Sequence, residues 1–254
     1  MSLPSADYYA QYGEAVRTHW WFRGRERVVE SVVKSLMQAS RGATIVDVGS
    51  GPGGPTKAVF PEGRVVAMDM SPLPLRAYAG AAALVVGDGT RVPYRPKSVE
   101  IVCAFDVLEH LRDDQRALTE WRDSLVPGGW LVLTVPAYRW LWSDHDEANG
   151  HYRRYRVRAL RRLLSMTGFV TMRITYFNLL LLPGIALARW SNRVLKSQRG
   201  SLAPTPEAGL DLHRRFPAWL EACFEAALRL EASWLRYGVL PAGVSICAVA
   251  RVPQ

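Results

Sequence analysis

The chain has 254 residues, 49% of them apolar, and a formal net charge of +9 at pH 7. That length and apolar share are enough to bury one sizeable core, which excludes a disordered polyelectrolyte and a disulfide-stapled miniprotein. Cys103, Cys223 and Cys247 lie in apolar stretches without paired spacing, so reduced, buried thiols are expected rather than disulfides or metal ligands. The first ten residues are polar and aromatic, without the apolar stretch of a secretion signal, and a cytoplasmic location is the expectation.

Residues 7–38 read as one or two helices, aromatic at first (Tyr8, Tyr9, Tyr12, Trp20, Trp21, Phe22). The pairs Val28-Val29, Val32-Val33 and Leu36-Met37 then recur at helical spacing and should pack on a sheet. Thr44 to Val48 is an apolar strand running into a turn with glycines at 49, 51, 53 and 54, and Pro55 stands where a helix would begin. Gly49, Gly51 and Gly54 satisfy G-x-G-x-x-G, so a dinucleotide competes as ligand of this turn. Asp47 argues against it, because a carboxylate two residues before the first glycine suits an ammonium or sulfonium better than a pyrophosphate. Pro52 also removes an N–H that a phosphate would use.

A second strand, Arg64 to Met68, ends at Asp69, and a third, Leu84 to Val86, leads into Gly87-Asp88-Gly89-Thr90. An acid about 20 residues beyond the first glycine turn is placed to accept from ribose hydroxyls. Val99 to Phe105 makes a fourth strand followed by Asp106-Val107-Leu108-Glu109-His110. Pro127-Gly128-Gly129 should break a helix before a fifth strand, Trp130 to Val135.

Asp47, Gly49, Gly51 and Gly53 match D-x-G-x-G-x-G residue for residue, and here the chain resembles class I S-adenosylmethionine-dependent methyltransferases of the small-molecule type. The resemblance implies an α/β fold, a doubly wound, seven-stranded, mostly parallel Rossmann-like sheet. It further implies an N-terminal helical lid (1–40), a cofactor-binding core (41–178), a helical insertion (179–240) and a last strand completing the sheet (241–254). S-adenosylmethionine is the implied cofactor, with Asp69 and Met70, then Asp88, Gly89 and Thr90, then Asp106 following the motif residues as binding positions. The Asp88 carboxylate would meet the adenine amino group. The 106–110 stretch is similar to quinone-pathway O-methyltransferases, some of which hold a divalent ion there. A helix N-terminus stabilises Asp106 and Glu109 without help, and no metal is expected.

The loop after the fifth strand, Pro136 to Tyr155, leaves the carboxyl edge of the sheet, where ligands of open α/β sheets bind. It carries Tyr138, Trp140, Trp142, Asp144, His145, Asp146, Glu147, His151 and Tyr155. A hydroxyl acceptor must lose a proton as it is methylated, and imidazole suits that task. His145 and His151 are the candidate catalytic residues, with Asp144 or Asp146 to orient the base. Trp20, Trp21, Tyr138, Arg154 and Tyr155 are the candidate substrate contacts, the tryptophans either as a lid or as a plug at the sheet edge.

A helix from Arg158 to Thr167, a sixth strand from Phe169 to Tyr176 and a last strand from Ser245 to Val252 complete the reading. Between them, Leu179 to Trp190 is too short for a membrane span, Ala203 to Gly209 reads as a linker, and an apolar stripe from Trp219 to Leu235 marks a long helix. The insertion suits a lid first, a homodimer interface second, and third a membrane-surface element through residues 179–199. Six arginines between 153 and 162 read as a solvated face, and without an amino-methylase tetrapeptide or Pro-Cys nucleophile after the fourth strand nucleic acid is not the expected partner. The expected function is methyl transfer to an oxygen of a small aromatic or lipophilic molecule. A cyclase or lyase using the same cofactor is the alternative; an RNA-directed enzyme and a non-catalytic binding protein rank below it.

Overall fold

The computed structural model describes residues 6–37, 41–199 and 216–254. Seven strands form one sheet in the order β3-β2-β1-β4-β5-β7-β6. They are β1 (Thr44–Val48), β2 (Arg64–Asp69), β3 (Ala83–Val86), β4 (Val99–Phe105), β5 (Leu125–Pro136), β6 (Val170–Phe177) and β7 (Ser245–Arg251). The first five strands pair in parallel, and β7 runs antiparallel between β5 and β6. The order reverses between β1 and β4, and at such a switch point the loops diverge and open a crevice for a ligand. The expected doubly wound, Rossmann-like α/β sheet is therefore present.

Two apolar layers cover the sheet. On one side α5 (Asp114–Ser124) and α7 (Val157–Met166) bury Leu118, Trp121, Leu160 and Leu164 against Val102, Leu131, Leu133 and Ile246. On the other, α2 (Trp20–Met37) sends Val28, Val29, Val32, Val33 and Leu36 into the same cluster as Ile45, Val65, Phe177 and Val249. The valine pairs read from the sequence form this face, since residues three and four apart share one side of a helix.

α9 (Ala218–Trp234) lies beside α2 and shares that layer through Ala232 and, just past its end, Leu235. The two helices are cross-tied by charge: buried Glu225 of α9 pairs with Arg23 and Arg27 of α2 and with its own Arg229. Arg173 of β6 donates to the backbone carbonyls of Val32, Leu235 and Gly238, fastening the ends of both helices to the sheet. The α2 half of the N-terminal segment and the α9 half of the insertion thus belong to the core, because both fill its second face.

Two local expectations need correction. Pro127-Gly128-Gly129 lies inside β5 rather than before it; Gly128 takes a positive φ of 76° and its N–H donates to the Val252 carbonyl, so the strand bulges instead of ending. Cys223 is exposed, whereas Cys103 and Cys247 are buried as expected. The linker expected at Ala203 to Gly209 lies outside the described residues.

Helix contact between α2 and α9 is close enough to test. A Cβ at Gly24 would stand 2.1 Å from Leu228 Cδ1 and 3.0 Å from its Cβ, and Leu228 is fully buried. Gly24→Val is expected to destabilise the fold by about 1 to 3 kcal/mol through overpacking. Gly184→Ala, where a Cβ meets nothing within 4 Å, should be neutral or stabilise by up to about 1 kcal/mol. Urea unfolding of both variants measures the contrast; equal midpoints would remove the packing account.

Candidate active site

The glycine turn after β1 is built for close approach. Gly49, Gly51 and Gly53 have φ of +63°, +56° and +117°, which only glycine adopts without strain. A Cβ at Gly49 would stand 2.6 Å from Val107 Cγ2, and one at Gly51 would stand 3.3 Å from the Tyr12 ring. Tyr12 comes from α1 (Ala6–Thr18), so the N-terminal helix lies over the turn. α3 (Pro55–Val59) starts directly beyond it with Pro55 in the first turn.

Asp69 ties this turn to the end of β2. Its Oδ2 accepts from the Gly51 N–H and its Oδ1 from the Ser71 N–H, both at 2.9 Å. A carboxylate has about four acceptor sites, so ribose hydroxyls can still be accommodated. Met70 beside it is 63% exposed and presents an apolar side chain to solvent. Asp88 is exposed and caps its own turn, accepting from Thr90 N–H at 2.8 Å, while the Gly89 carbonyl accepts from Trp121 Nε1 at 2.8 Å.

Asp47 lies beneath the turn. It is 2% exposed and accepts from the Tyr78 hydroxyl at 3.0 Å. Burial pushes its carboxyl up to about 7, against the opposing pull of the Tyr78 hydrogen bond.

Asp106, at the end of β4, also has a positive φ, +56°. A non-glycine residue in this region is held there by its surroundings. Its Oδ1 accepts from the Thr134 hydroxyl of β5 at 2.9 Å, and its Oδ2 pairs with Arg25 of α2. Arg25 is 5% exposed and packs over the Phe22 ring. Sequence reasoning missed Arg25; it stands between Arg23 and Arg27, and nothing local marks which of the three meets a carboxylate at the end of β4.

A cluster of imidazoles and carboxylates lies over the turn that follows β4. Leu108–His110 forms a single 3-10 turn, and Tyr152 N–H donates to the Glu109 carbonyl at 2.8 Å, drawing the loop after β5 over it. Glu109 is 1% exposed, and neither carboxylate oxygen has a partner from another residue among the described ones. Burial pushes its carboxyl well above the ordinary range, and the nearby Asp106 charge adds to this. The His110 and His151 rings meet edge to face at 4.5 Å, and the His145 ring lies 6.1 Å from His151.

Asp146 in α6 (Asp144–Ala148) organises the loop. It is fully buried and accepts from Arg154 Nε and Nη2 at 2.8 and 3.0 Å and from Ser143 N–H at 2.8 Å; His151 Nδ1 lies 2.8 Å away. Burial alone would raise its carboxyl, yet the hydrogen bonds from His151 and Arg154 hold it well below the usual range.

The remaining expected contacts are placed as follows. Arg154 also donates to the Ala137 carbonyl at 3.1 Å and faces inward. Tyr155 is 5% exposed, with its hydroxyl donating to Asp114 Oδ2 at 2.9 Å. Trp20 packs on Phe224 with centroids 4.9 Å apart, and Trp21 stacks on Phe177 at 6.0 Å. All four are committed to the frame. Tyr138, at φ +56°, stacks between Trp140 and Tyr176 at 5.7 and 5.1 Å and remains half-buried.

The buried Asp47 carboxyl gives a pH signature. Its folded value of about 7 against 3.8 in the open chain means that the folded state keeps a proton which the unfolded chain has lost between those values. Its contribution to stability is full below about pH 4 and is lost as pH rises through 7. Urea unfolding of cofactor-free protein at pH 5 and pH 8 should show stability falling with pH, and Asp47→Asn should flatten that slope. An identical slope in the variant would contradict the protonated, buried Asp47.

Comparison with known proteins places this geometry. Residues 46–133 match the family model described as a methyltransferase domain. An uncharacterized methyltransferase of Mycobacterium sp. (strain KMS) is 31% identical over 132 residues, covering 48% of this chain and 52% of that protein. The chain therefore spans about half the length of that curated relative. Among solved structures, the complex of the Haloferax volcanii Trm112 methyltransferase activator with its methyltransferase superposes with a TM-score of 0.59 at 18% identity over the whole of both chains. The [4+2]-cyclase SpnF superposes at 0.58 with 18% identity, covering 90% of this chain and 80% of that one. At such identities the likeness is one of fold. Among the described residues no helix is long and apolar enough to cross a membrane. Residues 46–133, which hold the glycine cradle and the acids at the ends of β1, β2 and β4, thus match a methyltransferase domain.

Proposed function

We propose that the protein transfers the methyl group of S-adenosylmethionine to an oxygen of a small aromatic or lipophilic molecule. The bound cofactor supplies a methyl on a positively charged sulfur, so the protein's tasks are alignment, exclusion of water and removal of the acceptor's proton. The observation that carries this reading is the His110–His145–His151 cluster beside buried Glu109, set next to the glycine turn and Asp106. Imidazole groups at this edge suit a hydroxyl acceptor, as in the quinone-pathway O-methyltransferases that the 106–110 stretch resembles.

His145 is the proposed base. A ring nitrogen of His151 lies within 4.8 Å of donor atoms on Glu109 and His110, and its Nδ1 is held by Asp146, so His151 is turned into the buried corner. His145 is half-buried on α6, one ring further out. Asp47, the glycine turn, Asp69, Met70, the Asp88–Thr90 turn and Asp106 hold the cofactor in this account, and Arg25 fixes Asp106.

A groove of about 380 Å³ between the loop and α8 (Leu182–Arg199) is lined by Trp140, Leu141, Ala186, Leu187 and Trp190. Arg189 and Arg193 of α8 donate to the backbone carbonyls of Leu141, Trp140 and Trp142, latching the helix onto the acceptor loop. This contact favours the lid over a homodimer or membrane-surface role for the start of the insertion. The cyclase or lyase reading has no observation of its own beyond shared fold.

Incubation with methyl-labelled S-adenosylmethionine and a panel of phenols and catechols should yield a labelled, extractable product. Acceptor transformed without label would replace methyl transfer by cyclase or lyase chemistry. Asp69→Ala should weaken binding of the demethylated cofactor by about 1.5 to 3 kcal/mol in calorimetry, the value of hydrogen bonds to a charged group; unchanged affinity in a folded variant removes Asp69 from the site. His145→Ala should lower kcat by about 10²- to 10⁴-fold with cofactor affinity nearly intact. A near-normal kcat would leave alignment as the mechanism.

A further inference from the structure

We propose that Glu109, His110 and His151 bind a divalent transition-metal ion at the carboxyl edge of β4. The ligand atoms of these three side chains lie within 4.8 Å of one another, although His151 is 41 residues beyond His110 in the chain. Backbone hydrogen bonding produces the convergence: Tyr152 N–H on the Glu109 carbonyl sets the loop after β5 against the 3-10 turn, and His151 N–H on the Asp146 carbonyl at 2.9 Å fixes the return of α6.

Glu109 supplies the independent sign that something belongs there. It is 1% exposed, and neither oxygen has a partner from another residue among the described ones. Leaving a buried carboxylate without partners is costly, and a cation is the group that satisfies it best. Two imidazoles facing that carboxylate make a donor set of two histidines and one glutamate, which suits zinc, cobalt, iron or manganese and leaves coordination positions open.

Each imidazole is also held from behind. The His151 Nδ1 bond to Asp146 leaves Nε2 for the ion, and the His110 ring hydrogen-bonds the Asn149 backbone. Ligating histidines almost always have such an outer partner, which fixes ring orientation and tautomer. Asp146 is in turn held by Arg154 and Ser143, so its role is positioning. An open position on the ion would take the acceptor's oxygen and favour its deprotonated form, leaving His145 to receive the proton. That use of the ion rests on the proposed methyl transfer; the binding site does not.

The test uses the full chain, stripped with a chelator and titrated with cobalt(II) in the absence of cofactor. One cobalt per chain is expected, with the intense visible absorption of a four- or five-coordinate ion, displaced by zinc. Glu109→Gln and His110→Ala should each weaken binding by about 100-fold or more, and Asp146→Asn by about 10- to 100-fold with the spectrum retained. His110 is exposed and its alanine variant should fold; unchanged affinity for the demethylated cofactor checks this. Absence of stoichiometric cobalt uptake, or wild-type affinity in both ligand variants, would overturn the site and leave Glu109 as a buried acid that meets the acceptor directly. Cobalt uptake without methyl transfer would keep the site and remove only the acceptor role.

Discussion

The arrangement depends on how one carboxylate, Asp106, is held. It ends β4 in a left-handed backbone conformation that a non-glycine residue adopts only under constraint, and three elements impose it. β5 contributes the Thr134 hydroxyl, α2 contributes Arg25, and Val107 immediately after it fills the space that a side chain at Gly49 would need. The glycine turn, the start of the imidazole cluster and the N-terminal helices therefore meet within a few residues of one another. Release of the Arg25 pair would leave a charged guanidinium, 5% exposed, without its counter-charge. Breaking such a pair costs about 3 to 5 kcal/mol.

Three buried acids near this edge are each handled differently, and the differences define their roles. Asp146 has its charge fully compensated by Arg154 and by hydrogen bonds from the loop, so it behaves as a structural anion. Asp47 is kept under the glycine turn by Tyr78 and is pushed toward the protonated form by burial. Glu109 has no hydrogen-bond partner from another residue among those described and feels the Arg154 charge only from a distance, while two imidazoles face it. A folded chain tolerates that cost where another group completes the site.

What could be read from the sequence was local. The run from Asp47 to Pro55 specifies a strand, a turn and a helix start within nine residues, and Gly49, Gly51 and Gly53 of that turn have the positive φ which makes glycine necessary. The valine pairs of α2 announced a buried face for the same reason of spacing that makes any helix amphipathic. What could not be read were partnerships across the chain. Arg25 and Asp106 are 81 residues apart, and nothing around Arg25 signals a carboxylate. The histidines were visible as chemistry, but Asp146 turns to His151 rather than His145 because Gly150, at φ +66°, folds the chain back after α6. Tyr155 and Arg154 looked like substrate contacts from their company, yet Asp114 and Asp146 occupy their polar atoms.

The central claim is that α2 completes the cofactor edge through the Arg25–Asp106 pair rather than closing over it as a separable lid. Its most direct measurement is calorimetric affinity for the demethylated cofactor in Arg25→Met, with near-UV circular dichroism to show that the core remains packed. The account predicts a loss of about tenfold or more, equivalent to about 1.4 kcal/mol, because Asp106 would no longer be fixed against the glycine turn. Wild-type affinity in a packed Arg25→Met variant would contradict it.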